Sequence, residues 1–171
     1  MTLLFQYGSN ASEKRLNSDD RLRGDAKPLG AFETDGTFRL EFTVWSKKNK
    51  CAAASIAPAP GRRIWGVVYD VPDHLMCRAT AGDRPSMESI EGDRYRQEPI
   101  RLLDPAGRLA GRSVVTYVVK EPAPGLATSL EYVGHILYGL WSFGVPADYI
   151  GYVTGCAVEN NPELAGGIAA L

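Results

Sequence analysis

Phe5-Gln6-Tyr7-Gly8-Ser9-Asn10, close to the start of the chain, constrains the fold more than any other stretch. The apolar residues Thr2 to Phe5 read as a short strand, and Ala11 to Leu16 read as the opening turns of a helix. Gly8 supplies the bend between them. Asn10, with Glu13 three residues later, has capping-box spacing. A strand feeding a glycine turn at a helix start leaves backbone N–H groups pointing outward at the positive end of the helix dipole. That predicts a small pocket for an anion such as a carboxylate or phosphate. The stretch has neither the Lys-Ser/Thr pair of a P-loop nor the three glycines of a dinucleotide turn. A plain capped strand-to-helix junction carries the same signature, so residues elsewhere in the chain must decide between the two.

With 171 residues the chain suits one domain spanning 1–171, with a small, Gly- and Ala-rich tail from about residue 157 that is expected to be loosely held. Nineteen basic residues nearly balance twenty acidic ones, which gives no electrostatic case for nucleic acid or an anionic membrane surface. No apolar run approaches the roughly 20 residues of a membrane span. The start lacks the basic and then apolar pattern of a signal peptide. Cys51, Cys77 and Cys156 are widely spaced and form no CxxC pair, and His74 and His135 have no ligand partner at useful spacing. The expectation is a reduced, cytoplasmic protein without metal.

Phe38, Leu40, Phe42 and Val44 alternate with Arg39, Glu41 and Thr43, the period of a half-buried strand. Ser46 to Lys50 reads as a solvated hairpin tip before a small apolar strand, Cys51 to Ile56. Ile64 to Val71 is the clearest buried strand, and Gly66 inside it predicts a bulge or a close backbone approach. Pro72 opens a helical segment with Asp73 to Met76, and a second short helix runs from about Pro85 to Ile90, stopping at Glu91-Gly92. Tyr95 to Leu103 and Ser113 to Val119 read as a hairpin, while Ser18 to Pro28 reads as a polar loop. Thr128 and Glu131 have capping-box spacing ahead of a helix whose Leu130, Val133, Leu137, Leu140 and Trp141 face the core. Gly144 ends that helix, and Pro146 starts a last one through about Val153. Trp45, Trp65 and Trp141 are all expected in the core. Strands and short helices first, with the long helix last, predict an α+β fold: a small mixed β-barrel or strongly curved sheet flanked by short helices.

No Cys-His or Ser-His-Asp arrangement is supported by spacing, which leaves carboxylates and tyrosines for chemistry. Glu88 and Glu91 are three residues apart and share a helix face, where paired carboxylates are most often solvated. Glu91 stands at the expected C-terminus of its helix with Gly92 as the C′ residue. The negative end of the dipole, joined to burial, raises a carboxyl pKa there, as a general base that must later act as an acid requires.

Taken together, four stretches resemble the gamma-glutamylcyclotransferase-like family along nearly the whole chain. They are Tyr7-Gly8-Ser9-Asn10 after the first strand, Trp65-Gly66-Val67-Val68-Tyr69, Glu88-Ser89-Ile90-Glu91-Gly92, and Tyr132 followed by Gly139, Gly144, Pro146 and Tyr149. Met87-Glu88 replaces the family's usual Leu-Asp, and Ala11 replaces a bulkier residue, changes that bear on pocket shape and substrate. The resemblance implies an enzyme that cyclises a γ-glutamyl amide to 5-oxoproline and releases an amine or amino acid, with no cofactor. It implies Glu91 as acid/base. Tyr7, Gly8, Ser9, Asn10 and Ala11 would bind substrate through backbone N–H groups, and Tyr132 would contribute its hydroxyl. The Asn10 side chain is expected to cap the helix and its backbone to do the binding. Two alternatives stand beside this reading: a non-catalytic small-molecule binding protein of the same fold, and a variant acting on γ-glutamylamines or a γ-glutamylated biosynthetic intermediate. Oligomeric state is left open.

Overall fold

The computed structural model describes residues 1–170. Strands β1 (Thr2–Gln6), β2 (Lys27–Thr34), β3 (Phe38–Ser46), β4 (Cys51–Pro58), β5 (Trp65–Val71), β6 (Tyr95–Ile100), β7 (Leu102–Leu103) and β8 (Val114–Val119) precede the two long helices. The helices are α1 (Glu13–Leu16), α2 (Met87–Glu91), α3 (Leu130–Ser142), α4 (Ala147–Asn160) and α5 (Ala165–Ile168). Six strands form one strongly curved sheet in the order β6-β8-β1-β5-β2-β7, and β3 and β4 pair as a separate hairpin. The pairing is mixed, since β1 runs parallel to β8 and antiparallel to β5. This is the α+β, curved-sheet architecture expected from the element order.

β1 lies between β8 and β5 and is buried on both faces from Leu3 to Gln6, which is why it reads as an unbroken apolar run. Gly66 gives the close approach expected of it. A Cβ there would lie 2.6 Å from the Gln6 carbonyl oxygen and from the Phe5 ring. The 95–103 stretch is not one strand. It breaks at Arg101, and Leu102–Leu103 crosses to pair with Glu33 and Thr34 of β2. β6 is an edge strand, so Pro99 within it removes no ladder hydrogen bond that the sheet needs.

β2 begins on Lys27 and Pro28, the end of the expected loop, and runs on through residues for which the sequence pattern predicts no element. Pro28 and Gly30 hide its alternation, and its register with β5 shifts between those two residues. The segment after Pro72 makes only a 3₁₀ turn, Asp73–Leu75. α3 is capped by the Ser129 side chain, which accepts from the Tyr132 N–H, and not by Thr128. α4 continues through Asn160, past the point where the apolar pattern stops, and Leu164 beyond it is buried. Trp141 is 72% exposed and Trp45 39% exposed, so neither is core. Trp141 lies one step round the helix from buried Leu140, and Trp45 alternates outward from buried Val44.

Two contacts fix the turn after β1 in place. Gly139 lets α3 press onto it: a Cβ there would lie 2.4 Å from the Ser12 nitrogen and 2.5 Å from the Ala11 carbonyl carbon. From below, the buried Tyr69 hydroxyl donates to the Ala11 carbonyl at 2.9 Å. Residues of two of the matching stretches, Tyr69 and Gly139, thus hold a third. Among the described residues no helix is long and apolar enough to cross a membrane.

Candidate active site

After Gly8 the chain makes a 3₁₀ turn, Ser9–Ala11, before α1. The Ala11 N–H donates to the Gly8 carbonyl (2.9 Å) and the Ser12 N–H to the Ser9 carbonyl (3.3 Å), so neither is free for a ligand. Ser12, not Asn10, is the cap of α1, its hydroxyl accepting from the Arg15 N–H at 3.4 Å. The reason is geometric. The 3₁₀ turn delays the helix by two residues and frees the Asn10 side chain to point elsewhere.

It points to Glu91. Asn10 Nδ2 donates to Glu91 Oε1 at 3.0 Å, and Gln6 Nε2 donates to the same oxygen at 3.2 Å. Glu91 Oε2 accepts from no group among the described residues. The carboxylate ends α2, which starts with a reciprocal Ser86–Ser89 capping box. Gly92 follows at φ +80°, the left-handed region that closes a helix, and donates its N–H to the Glu88 carbonyl at 3.0 Å. The two glutamates sharing that face separate in role. Exposed Glu88 accepts from the Arg78 N–H at 2.9 Å and does not reach the site.

Burial raises the Glu91 pKa above the ordinary carboxylate range, and the Asn10 hydrogen bond, the Arg21 charge and the Gln6 hydrogen bond oppose the rise. The cause is thus burial, where the sequence pattern points to the helix end as well. The helix of five residues has little dipole to offer.

Tyr7, Gly8, Ser9, Asn10, Glu91 and Tyr132 surround one small chamber of about 30 Å³, closed by Gln6, Ala54, Tyr95 and Tyr117. Ala11 is the one expected site residue that does not line it; it lies buried beneath. Tyr7 donates to the Tyr117 carbonyl and Tyr95 to the Ala54 carbonyl, both at 2.7 Å, so those hydroxyls are committed. Tyr132 differs. Its oxygen accepts from the Ala54 N–H at 3.0 Å and lies beside Ser9, and its hydroxyl donates to no backbone carbonyl among the described residues. Burial raises the Tyr132 pKa, against hydrogen bonds from Ala54 and Ser9 that favour the phenolate, so the hydroxyl stays a donor.

The chamber adjoins a larger cavity of about 340 Å³, which shares Ser9, Asn10, Glu91, Tyr95 and Tyr132 with it. Arg21 lies on that wall, and Trp45, Lys47, Lys48 and Arg94 line the cavity further out. Sequence reasoning missed Gln6, Arg21, Tyr95 and Tyr117. Gln6 adjoins the motif and was the most discoverable, while Arg21 sits in a segment that reads as a solvated loop.

A scan of family models finds no match, and no curated protein matches the sequence. Solved structures do. The chain is similar to a gamma-glutamyl cyclotransferase at a TM-score of 0.71 and 20% identity, over 90% of this chain and 86% of that one. It is similar to an uncharacterized human protein at 0.71 and 21%, again over 90% and 86%. A yeast gamma-glutamyl cyclotransferase specific to glutathione superposes at 0.53 and 12%, over 92% of this chain and 98% of that one. These likenesses define the class by fold: the chain has the gamma-glutamylcyclotransferase-like fold.

Proposed function

We propose that this protein is an enzyme that cyclises a γ-glutamyl amide to 5-oxoproline and releases an amine or amino acid. One observation carries the reading: a half-buried carboxylate, Glu91, is held by two side-chain amides on one oxygen and has its other oxygen uncommitted. That is the arrangement of a base whose orientation is fixed and whose lone pair is free to take a proton.

The γ-glutamyl group brings its own nucleophile. Its α-nitrogen attacks the γ-carbonyl carbon, the new C–N bond closes a five-membered ring, and the amide C–N bond breaks. Two protons leave the α-nitrogen and two arrive on the leaving nitrogen, so Glu91 takes and returns protons with no net release. Holding the chain in its ring-closing conformer supplies much of the rate. The Tyr132 hydroxyl, bound to no backbone carbonyl among the described residues, donates to the substrate carbonyl oxygen as negative charge develops there. The turn Tyr7–Asn10 packs against the γ-glutamyl group. The 340 Å³ cavity, which Glu91 and Tyr132 also line, receives the γ-glutamyl group with its leaving group, because the chamber alone has room for little more than a water molecule.

The test supplies γ-glutamyl-L-alanine and an Nε-γ-glutamyl-lysine adduct and follows 5-oxoproline. Formation of 5-oxoproline from either supports the reading, and the preferred adduct names the class of leaving group. Release of free glutamate means hydrolysis and overturns cyclisation. Tight binding with no product means a binding protein.

A further inference from the structure

Arg21 is only 6% exposed, yet no carboxylate lies within 4.0 Å of it among the described residues. A guanidinium taken out of water without a counter-ion is costly, and burial followed by the nearby Arg15 charge lowers its pKa. Its side chain makes one protein hydrogen bond, from Nη1 to Asn10 Oδ1 at 2.9 Å. Asn10 Oδ1 has no other donor among the described residues, and the same amide donates Nδ2 to Glu91.

We propose that Arg21 is a positioning residue for the general base, fixing the Asn10 amide in the one orientation that can hold Glu91. An amide has two faces of opposite character. As placed, its oxygen meets the guanidinium and its nitrogen meets the carboxylate. Turned over, it would set NH₂ against guanidinium and oxygen against carboxylate, two repulsive contacts in place of two hydrogen bonds. Arg21 thus stabilises one rotamer of Asn10, and through it one position of Glu91 Oε1, while its charge favours the carboxylate. The backbone around Arg21 is itself anchored. The Arg21 N–H donates to the Ser18 carbonyl at 2.9 Å, and Arg84 donates to the neighbouring Leu22 carbonyl at 2.9 Å.

This inference rests on reading Glu91 as the base, so its test needs a measurement that survives failure of that reading. The charged and titratable groups around Glu91 are Tyr7 from the turn, Arg21 from the following loop, Asp93 (paired with Arg78) and Arg94 after α2, Tyr95 from β6, Tyr117 from β8, Tyr132 from α3, and Lys47 and Lys48 at the rim. Arg21 acts on it through the shared Asn10 amide and through its own charge.

The experiment compares Arg21→Lys, Arg21→Gln and Arg21→Leu. With γ-glutamyl-L-alanine, Arg21→Leu is expected to lower kcat by about ten- to a hundred-fold, with little change in KM. The acid limb of the pH profile should move to higher pH. Arg21→Gln keeps a donor without the charge and is expected to recover part of kcat while the limb stays shifted. Arg21→Lys keeps the charge and is expected to restore the limb. On an Asn10→Ala background, Arg21→Leu should cost much less than it does alone. Independently of turnover, the Glu91 carboxyl titration followed by carbon NMR should move to higher pH in Arg21→Gln. If Arg21→Leu fails to fold, Arg21→Gln carries the test. Additive losses with Asn10→Ala, or an unmoved Glu91 titration in Arg21→Gln, overturn the proposal. Absence of 5-oxoproline from the wild-type protein overturns the cyclisation reading instead, and the titration still judges Arg21.

Discussion

The chamber and the cavity beyond it share the same five residues at their junction, but opposite rules govern their walls. Apart from the free oxygen of Glu91, the chamber is walled by buried and half-buried groups whose hydrogen bonds are spoken for: Tyr7 to Tyr117, Tyr95 to Ala54, and Ala54 to Tyr132. The cavity is walled outward by exposed, charged side chains on the β3–β4 turn and at the start of β6. On the proposed reaction, the hydrogen-bonded wall fixes the place where protons move, while surface side chains meet the part of a ligand that varies. This difference predicts a steep gradient of mutational effect from the inside out.

The largest effect falls on Glu91. Glu91→Gln is expected to lower 5-oxoproline formation by about 10²–10⁴-fold, while Glu88→Gln, three residues away and turned to solvent, changes it little. Folding should not suffer. The Glu91 pKa is raised in the folded chain, so its contribution to stability is full below the unfolded pKa and is lost as pH rises through the folded value. Above the folded pKa the ionised, half-buried carboxylate is therefore a cost, which Gln removes. Thermal melts should show Glu91→Gln as stable as the parent or more so at pH 7, with the gap closing in acid. A variant that melts far lower at pH 7 breaks the picture of a chamber strained for function.

Next comes the floor. Gly139→Ala forces a Cβ against the Ser12 nitrogen and the Ala11 carbonyl carbon, both backbone atoms that cannot swing aside. The expected loss is about 3 kcal/mol, read from denaturant midpoints, together with reduced turnover as the turn shifts. Gly151→Ala on α4, where a Cβ meets nothing within 4 Å, is the control and should stabilise by about 0.5–1 kcal/mol. Equal effects at the two glycines would mean that α3 does not set the turn.

The floor and the carboxylate were also the parts most legible in sequence, for a physical reason. Gly8, Gly66 and Gly92 mark bends or close approaches that local chemistry announces, and the apolar runs of β1 and β5 announce central strands. What stayed hidden depends on contacts remote in sequence. Nothing local tells that Asn10 will leave its capping role for a glutamate 81 residues on, because that choice needs the 3₁₀ turn and Arg21 together. Arg21 reads as one more charge in a polar loop. β2 escapes a sequence reading because Pro28 and Gly30 erase the alternation that its neighbour β5 makes good. The size of Trp141 suggests core, whereas its angle on the helix puts it in solvent.

Tyr132→Phe tests the boundary between the two regions. The phenol oxygen is the partner of the buried Ala54 N–H, so its loss leaves that donor unpaired and costs about 1–3 kcal/mol of stability. The same hydroxyl is assigned to the developing oxyanion, so kcat should fall about ten-fold or more beyond what instability explains. A fall in stability with kcat unchanged removes Tyr132 from the chemistry and leaves it as a wall.

The smallest effects belong to the rim. Lys48 is already paired with Asp20, and Asp93 with Arg78 at 2.7 Å, whereas Lys47 and Arg94 form no ion pair among the described residues. Both are exposed, so their fields are screened, and each is worth at most about 1 kcal/mol toward a bound anion. For γ-glutamyl-L-alanine, whose leaving group carries a carboxylate, Lys47→Ala and Arg94→Ala should raise KM a few-fold at low salt and leave kcat unchanged. The difference should vanish near 0.5 M salt, where the screening length is about 4 Å. For a γ-glutamylamine with no acidic group the same variants should be silent at any ionic strength. A drop in kcat would place these cations inside the proton-transfer machinery, and the division between a fixed chamber and an adjustable mouth would no longer hold.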